Sequence, residues 1–295
     1  VRRLIAALCL ALLALAPAHA ANAVVAKIPA HPALWTVHGP KGTAYLLGSI
    51  HLLPPNIDWH SKEVDAALAK ADTFVFELDM NGDFQDRVQQ SIQARGMLPE
   101  GRHLHDMLSS EAKADLDAEL KTTSLSPAAV DRMRPWLAAL TLEVAEIKKN
   151  NYGPGVEMEI EASGDKRPVI ALETVDGQLA MLAPNDPKTE LQEFEAALKS
   201  SALEKASGDE MGPMLDAWMR GDTRALDKLT GVELDKYPDA RKLLLDDRNK
   251  AWTAKLAALL NEDKTYFVVV GAAHLAGARG VPGLLRAKGL EVEGP

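Results

Sequence analysis

Two histidines, two glutamates and one arginine stand where chemistry could be done. His51 closes the run Tyr45-Leu46-Leu47-Gly48-Ser49-Ile50-His51, and His274 closes Phe267-Val268-Val269-Val270-Gly271-Ala272-Ala273-His274. In each, an apolar stretch of strand character stops at a glycine, Gly48 or Gly271, and an imidazole follows three residues later. Imidazole titrates near neutral pH and is a common metal ligand, so two of them delivered to one crevice could share a metal ion or a substrate. The plainer alternative is that each is a strand-end side chain hydrogen-bonded to backbone.

Carboxylates come from the same kind of position. Thr73-Phe74-Val75-Phe76 runs into Glu77-Leu78-Asp79, and the strand pattern from Arg167 to Leu172 runs into Glu173. An acidic group ending a buried strand is costly unless it is paired, hydrogen-bonded or bound to a cation, which marks Glu77 as a site candidate. A helix cap or an ion pair would satisfy it too, and the same choice stands open for Asp79. Arg248, in Asp246-Asp247-Arg248-Asn249, carries a permanent charge that can clamp a carboxylate or steady an oxyanion. An exposed ion pair on a helix would look the same. His103 and His105, two apart around a helix start, read as solvent-facing; Arg132 and Arg134 before Pro135 could reach an anionic group but read better as surface residues.

Residues so far apart in sequence need a sheet to gather them. In open α/β sheets the side chains just past the carboxyl ends of neighbouring strands converge on a crevice. Glycine at such a turn lets backbone approach closely. The pattern predicts a hairpin, Leu34 to His38 and Thr43 to Leu47 joined by Gly39-Pro40-Lys41-Gly42, then a proline-fixed loop and a helix capped by Ser61 and running to Lys70. Helical periodicity fills residues 83–150 and 186–259, the break at 150–155 precedes a short acidic helix over 156–163, and Leu290-Glu291-Val292 reads as a last strand. The expected fold is therefore α/β, or α+β, with a central mixed sheet formed by the N- and C-terminal parts of the chain and a large helical insertion flanking it.

Composition narrows the function classes. Residues 1–20 have the form of a secretory signal: Arg2 and Arg3, an apolar run from Leu4 to Ala16, then Ala18-His19-Ala20. Residues 21–295 are then expected to form one exported domain, periplasmic or secreted in a bacterium. Cleavage would also remove the single cysteine, Cys9, leaving neither disulfide nor thiolate ligand. It removes two arginines and no acid, so the net charge of −9 becomes −11. Such a chain is repelled by nucleic-acid phosphates and anionic lipid, so neither is an expected partner.

Taken together, these residues resemble the TraB/GumN family, to which the animal Tiki proteins also belong. The resemblance is carried by Leu47-Gly48-Ser49-Ile50-His51 with Leu53-Pro54, the Glu77 strand, Ala171-Leu172-Glu173-Thr174 with Gln178, Arg248-Asn249, and Val270-Gly271-Ala272-Ala273-His274-Leu275 with Gly277 and Gly280. It implies a central sheet built from both ends of the chain. For activity it implies metal-dependent hydrolysis of the peptidase kind, with His51, His274 and Glu77 as ligands of a divalent ion. Mn, Co and Zn all suit nitrogen and oxygen donors. Glu173 is then the expected general base and Arg248 the oxyanion support. Two rivals are a periplasmic module that binds haem or another small ligand without turnover, and a metal-free esterase-like hydrolase in which a motif histidine activates water. Cleavage after Ala20 is expected to leave Ala21 as the N-terminus of the exported protein, and intact-mass analysis of secreted material checks it; a mass that retains residues 1–20 would count against the leader.

Overall fold

The computed structural model describes residues 26–149, 152–183, 186–207 and 211–295; the expected leader lies outside them. The apolar run Tyr266 to Val270 cannot alternate inside and outside, so it must be covered on both faces, as parallel strands of α/β sheets are. It forms a strand near the middle of a six-stranded mixed sheet. The strands are β1 (Leu34–His38), β2 (Thr43–Ser49), β3 (Thr73–Phe76), β4 (Val169–Ala171), β5 (Thr265–Gly271) and β6 (Glu291–Glu293). Their spatial order is β6-β1-β2-β5-β3-β4. The hairpin β1–β2 and the closing pair β6–β1 are antiparallel, whereas β2, β5, β3 and β4 run parallel. The sheet thus joins the two ends of the chain, with helices supplied by residues 84–162 and 175–259.

Side chains two apart share a strand face, and the core divides accordingly. Phe74, Phe76, Phe267 and Val269 pack on one face with Val64 and Ala67 of the helix Lys62–Lys70, Trp59 and Trp218. Val75, Tyr266, Val268 and Val270 pack on the other with Trp252 and Leu256 of the helix Asp247–Leu259, Leu260 at its end, and Leu285 of the last helix, Val281–Ala287. The intervening helices add clusters of their own, one around Phe84, Val88 and Leu140 and one around Leu104, Leu116 and Phe194. None of the helices among the described residues is long and apolar enough to cross a membrane.

Register places the two glycine turns side by side. Gly48 lies opposite Val270 and Ser49 opposite Gly271. A Cβ on Gly48 would come within 2.9 Å of the Ala272 Cα, so the backbones after β2 and β5 can approach only because Gly48 has no side chain. The Gly48 carbonyl accepts a buried hydrogen bond of 2.7 Å from Trp218 Nε1, which fixes this turn against the helical layer. Beyond β3 and β4 the ladder continues through Leu172 N–H to Phe76 O and Glu173 N–H to Glu77 O, each 2.9 Å, so the two glutamates leave the sheet as neighbours.

Of the two readings open for Asp79, the structure shows the cap: β3 ends at Phe76, the chain turns, and Asp79 accepts from the Asn81 backbone N–H at 3.0 Å. His103 is exposed beside Asp131, whereas His105 is half-buried, its backbone N–H on Asp131 and its ring near Asp117. Arg132 and Arg134 tie down backbone carbonyls instead of facing solvent freely, and Arg134 pairs with the buried Glu190 at 2.6 Å. Gly48→Ala is expected to cost about 1–3 kcal/mol of folding stability through overpacking against Ala272, read from urea denaturation midpoints; an unchanged midpoint would contradict this account of the turn.

Candidate functional site

All four parallel strands contribute at their carboxyl ends. His51 follows β2, His274 follows β5 in a single turn of 3₁₀ helix, Glu77 follows β3 and Glu173 follows β4. They meet around Gly271. A Cβ built there would lie 3.1 Å from His51 Nε2, 3.4 Å from Glu77 Oε1 and 3.5 Å from His274 Cδ2, so the missing side chain leaves the space between the three groups. His51 is 3% exposed and His274 fully buried.

Arg248 is the hub. It is the second residue of the helix Asp247–Leu259, which directly follows a turn of π-helix at Lys242–Asp246, and is 4% exposed. Its Nη2 donates to Glu77 Oε2 at 2.6 Å and to Glu173 Oε2 at 3.0 Å, and its Nε donates to Glu173 Oε1 at 2.7 Å. Nη1 donates to the Leu244 carbonyl at 3.1 Å and to His274 Nε2 at 3.0 Å. The guanidinium also lies 4.7 Å from the Trp252 ring, which packs against His274. A buried cation needs this density of partners, since charge-assisted hydrogen bonds are what offset its desolvation.

The carboxylates differ in what they have left to offer. Glu173 accepts from Arg248 Nε and Trp252 Nε1 on one oxygen and from Arg248 Nη2 and Gln178 Nε2 on the other. That fills the four lone-pair directions of a carboxylate. Glu77 accepts the Gly271 N–H at 2.8 Å on Oε1, and Arg248 and Gln178 on Oε2. Its Oε1 also stands 3.7 Å from His51 Nε2.

The histidines are held in opposite senses. Asn249 Nδ2 donates to the Arg279 carbonyl at 2.9 Å, so Asn249 Oδ1 is the acceptor for His274 Nδ1 at 2.6 Å. His274 therefore carries its proton on Nδ1 and accepts from Arg248 on Nε2. Burial, then the charge of Arg248, then His51 hold its pKa well below the ordinary 6.5. His51 has its Nδ1 against Glu157 Oε1, while Ser49 Oγ donates to Glu157 Oε2. Burial alone would lower the His51 pKa, yet the charge and hydrogen bond of Glu157, with Glu77, raise it to about 9. Glu157 is correspondingly lowered from 4.5 by His51 and Ser49, against the upward push of burial.

Glu157 is the residue that sequence reasoning missed, along with Ser49. It belongs to the helix Val156–Ala162, reached through Gly153-Pro154-Gly155. A Cβ on Gly155 would lie 2.6 Å from the His51 carbonyl carbon and closer still to the Ile50 oxygen. That glycine is the only signal in the sequence that this acidic helix presses against the first histidine motif.

A divalent ion needs donors with free lone pairs. His51 Nε2 is buried without a hydrogen-bond partner and faces Glu77 Oε1, which fits a cation. The three carboxylates Glu77, Glu157 and Glu173 also outnumber the one guanidinium, leaving the centre short of positive charge when His51 is neutral. Among the described residues no three acidic, histidine or cysteine groups are already poised about one point. His274 Nε2, the other imidazole nitrogen on this side, is engaged by Arg248 Nη1.

The fold and site define an α/β protein with a buried centre of two histidines, carboxylates and one arginine at the ends of its parallel strands. The TraB/PrgY/gumN family model matches residues 33–294, and the chain belongs to that family. It is 26% identical over 249 residues to the uncharacterized protein YbaP of Escherichia coli, covering 82% of this chain and 87% of that one. It is 25% identical over 320 residues to the metalloprotease TIKI2 of Xenopus tropicalis, covering 88% of this chain and 59% of that protein. No solved structure matches.

The His51–Glu157 pair makes stability depend on pH in a defined direction. A raised histidine pKa adds stability that is full below 6.5 and is lost as pH climbs through about 9. A lowered glutamate pKa adds stability that is present above 4.5 and is lost as pH falls below it. In chelator, the stability difference between wild type and His51→Gln is expected to shrink between about pH 6 and about pH 9.5, measured by urea unfolding. A constant difference across that range would refute the pairing.

Proposed function

We propose that the chain is a hydrolase that cleaves an amide or ester carbonyl, with a divalent ion held by His51, Glu77 and His274. One observation carries the reading: a buried imidazole nitrogen with no partner, 3.7 Å from a carboxylate oxygen, beside the space left by Gly271. The similarity to TIKI2, a metalloprotease, supports the same chemistry. Such an ion supplies a water of lowered pKa and polarises the carbonyl.

The chain's own residues do the rest. Glu77 is held in place by Gly271 N–H, Gln178 and Arg248, so its Oε1 stays directed at His51. Arg248, once released from His274 Nε2, presents Nη1 to negative charge developing on the carbonyl oxygen, and this is the role expected for it. For Glu173 we propose a different role from the general base expected of it. Its lone pairs are filled by Arg248, Trp252 and Gln178, so it holds the guanidinium fork and has no free direction from which to take a proton. The working protein is taken as exported, cleaved after Ala20 and folded as one domain over 21–295, acting on a peptide or small-molecule substrate.

A metal-free variant of the reaction is favoured by one contact, the Arg248 hydrogen bond already on His274 Nε2. In it His51, backed by Glu157, exchanges protons with water directly. Elemental analysis of protein purified without chelator is expected to find a divalent metal that is lost in His51→Ala and His274→Ala while circular dichroism is unchanged. Peptidase or esterase activity is expected to vanish on chelation and return with Mn, Co or Zn. Equal metal content in His51→Ala and wild type would remove His51 from the ligands, and activity that survives exhaustive chelation would select the metal-free reaction.

A further inference from the structure

We infer that Glu157, anchored by Ser49, is the positioning residue that fixes His51 with its proton on Nδ1 and its Nε2 lone pair aimed at Glu77 and Gly271. Both carboxylate oxygens of Glu157 are committed, Oε1 to His51 Nδ1 and Oε2 to Ser49 Oγ, and the side chain is buried. Ser49 comes from within the first glycine–histidine motif, two residues before His51 on the strand-end backbone. The carboxylate is therefore clamped between two points of that motif and cannot rotate away without stranding a buried hydroxyl and a buried imidazole. Gly155 allows the close approach, since any side chain there would strike the Ile50–His51 peptide.

The partner chosen for each histidine matters chemically. An imidazole whose second nitrogen donates to a carboxylate is a more basic ligand than one whose second nitrogen donates to an amide. His51 has the carboxylate, Glu157, and His274 the amide, Asn249. His51 is thus the strong donor of the pair and His274 the weak, exchangeable one, in keeping with the Arg248 contact on its Nε2. For metal binding this rests on the proposed hydrolase, whereas the tautomer of His51 does not.

The test uses full-length mature protein labelled with 15N in histidine and freed of metal by chelator. At about pH 10, above the raised His51 value, the neutral ring of wild type is expected to show one tautomer, protonated at Nδ1. Glu157→Leu, which removes the acceptor at similar volume, is expected to give a mixture or the opposite tautomer, with His274 unmoved as the internal control. Zinc added alone is expected to bind Glu157→Leu about 10- to 100-fold more weakly than wild type. Should Glu157→Leu fail to fold, Ser49→Ala, which keeps the carboxylate and removes only its anchor, is expected to show a smaller change of the same sign in both readouts. An unaltered His51 tautomer in whichever variant folds overturns the inference, whatever zinc does. Wild type that binds no zinc while its tautomer collapses in the variant leaves the inference standing and removes the metal from the proposed function.

Discussion

A guanidinium buried at the end of a sheet constrains everything around it. Arg248 is out of reach of water and must be neutralised from within, and it is satisfied by carboxylates from two adjacent strands, a carbonyl one turn back and a histidine from a third strand. Removing one member of such a cluster leaves an uncompensated charge, at a typical cost of about 3–5 kcal/mol. The order of the parallel strands follows from this demand as much as from apolar burial. Glu77 and Glu173 must emerge side by side, and the continued backbone pairing past Phe76 and Ala171 makes them do so.

Much of this was legible in the sequence, for physical reasons that can be named. Two apolar runs stop at a glycine and two at a glutamate; each reads as a parallel strand end, and the four had to meet because open sheets collect them on one edge. That reasoning reached His51, Glu77, Glu173 and His274, the hairpin, the closing strand and the glycine turns. Arg248 could be proposed but not placed, because a helix arginine flanked by aspartates reads equally well as an exposed ion pair. Asp79 stayed open between site and cap, since alternation along a strand says nothing once the strand has ended, and it is a turn cap. For Arg134 the less favoured of two readings held, an anionic partner, because Glu190 lies in a separate helix and leaves no periodic trace near it.

Glu157 was invisible for a related reason. An acidic residue in the first turn of a short helix is the commonest thing a helix start contains. Only the tertiary approach of Gly155 to the peptide after Ile50 turns it inward. The result is a centre whose two histidines, alike in motif, are unlike in environment. One is paired with an anion and strongly basic; the other is paired with an amide, pressed by a cation and kept neutral. Groups whose surroundings push their proton affinities apart in this way are suited to divided labour.

Gly271 has a meaning beyond its place in a turn. The atom it lacks would stand at the one point that both imidazoles and a carboxylate face. In the proposed hydrolase an alanine there would behave like an inhibitor tethered to its own receptor: every side chain of the centre would be present and correctly hung, with the seat proposed for the reactant taken by a methyl group. The inventory of groups in such a centre therefore has to include a volume that must stay empty of protein, and that volume is as much a part of the chemistry as any nitrogen or oxygen around it.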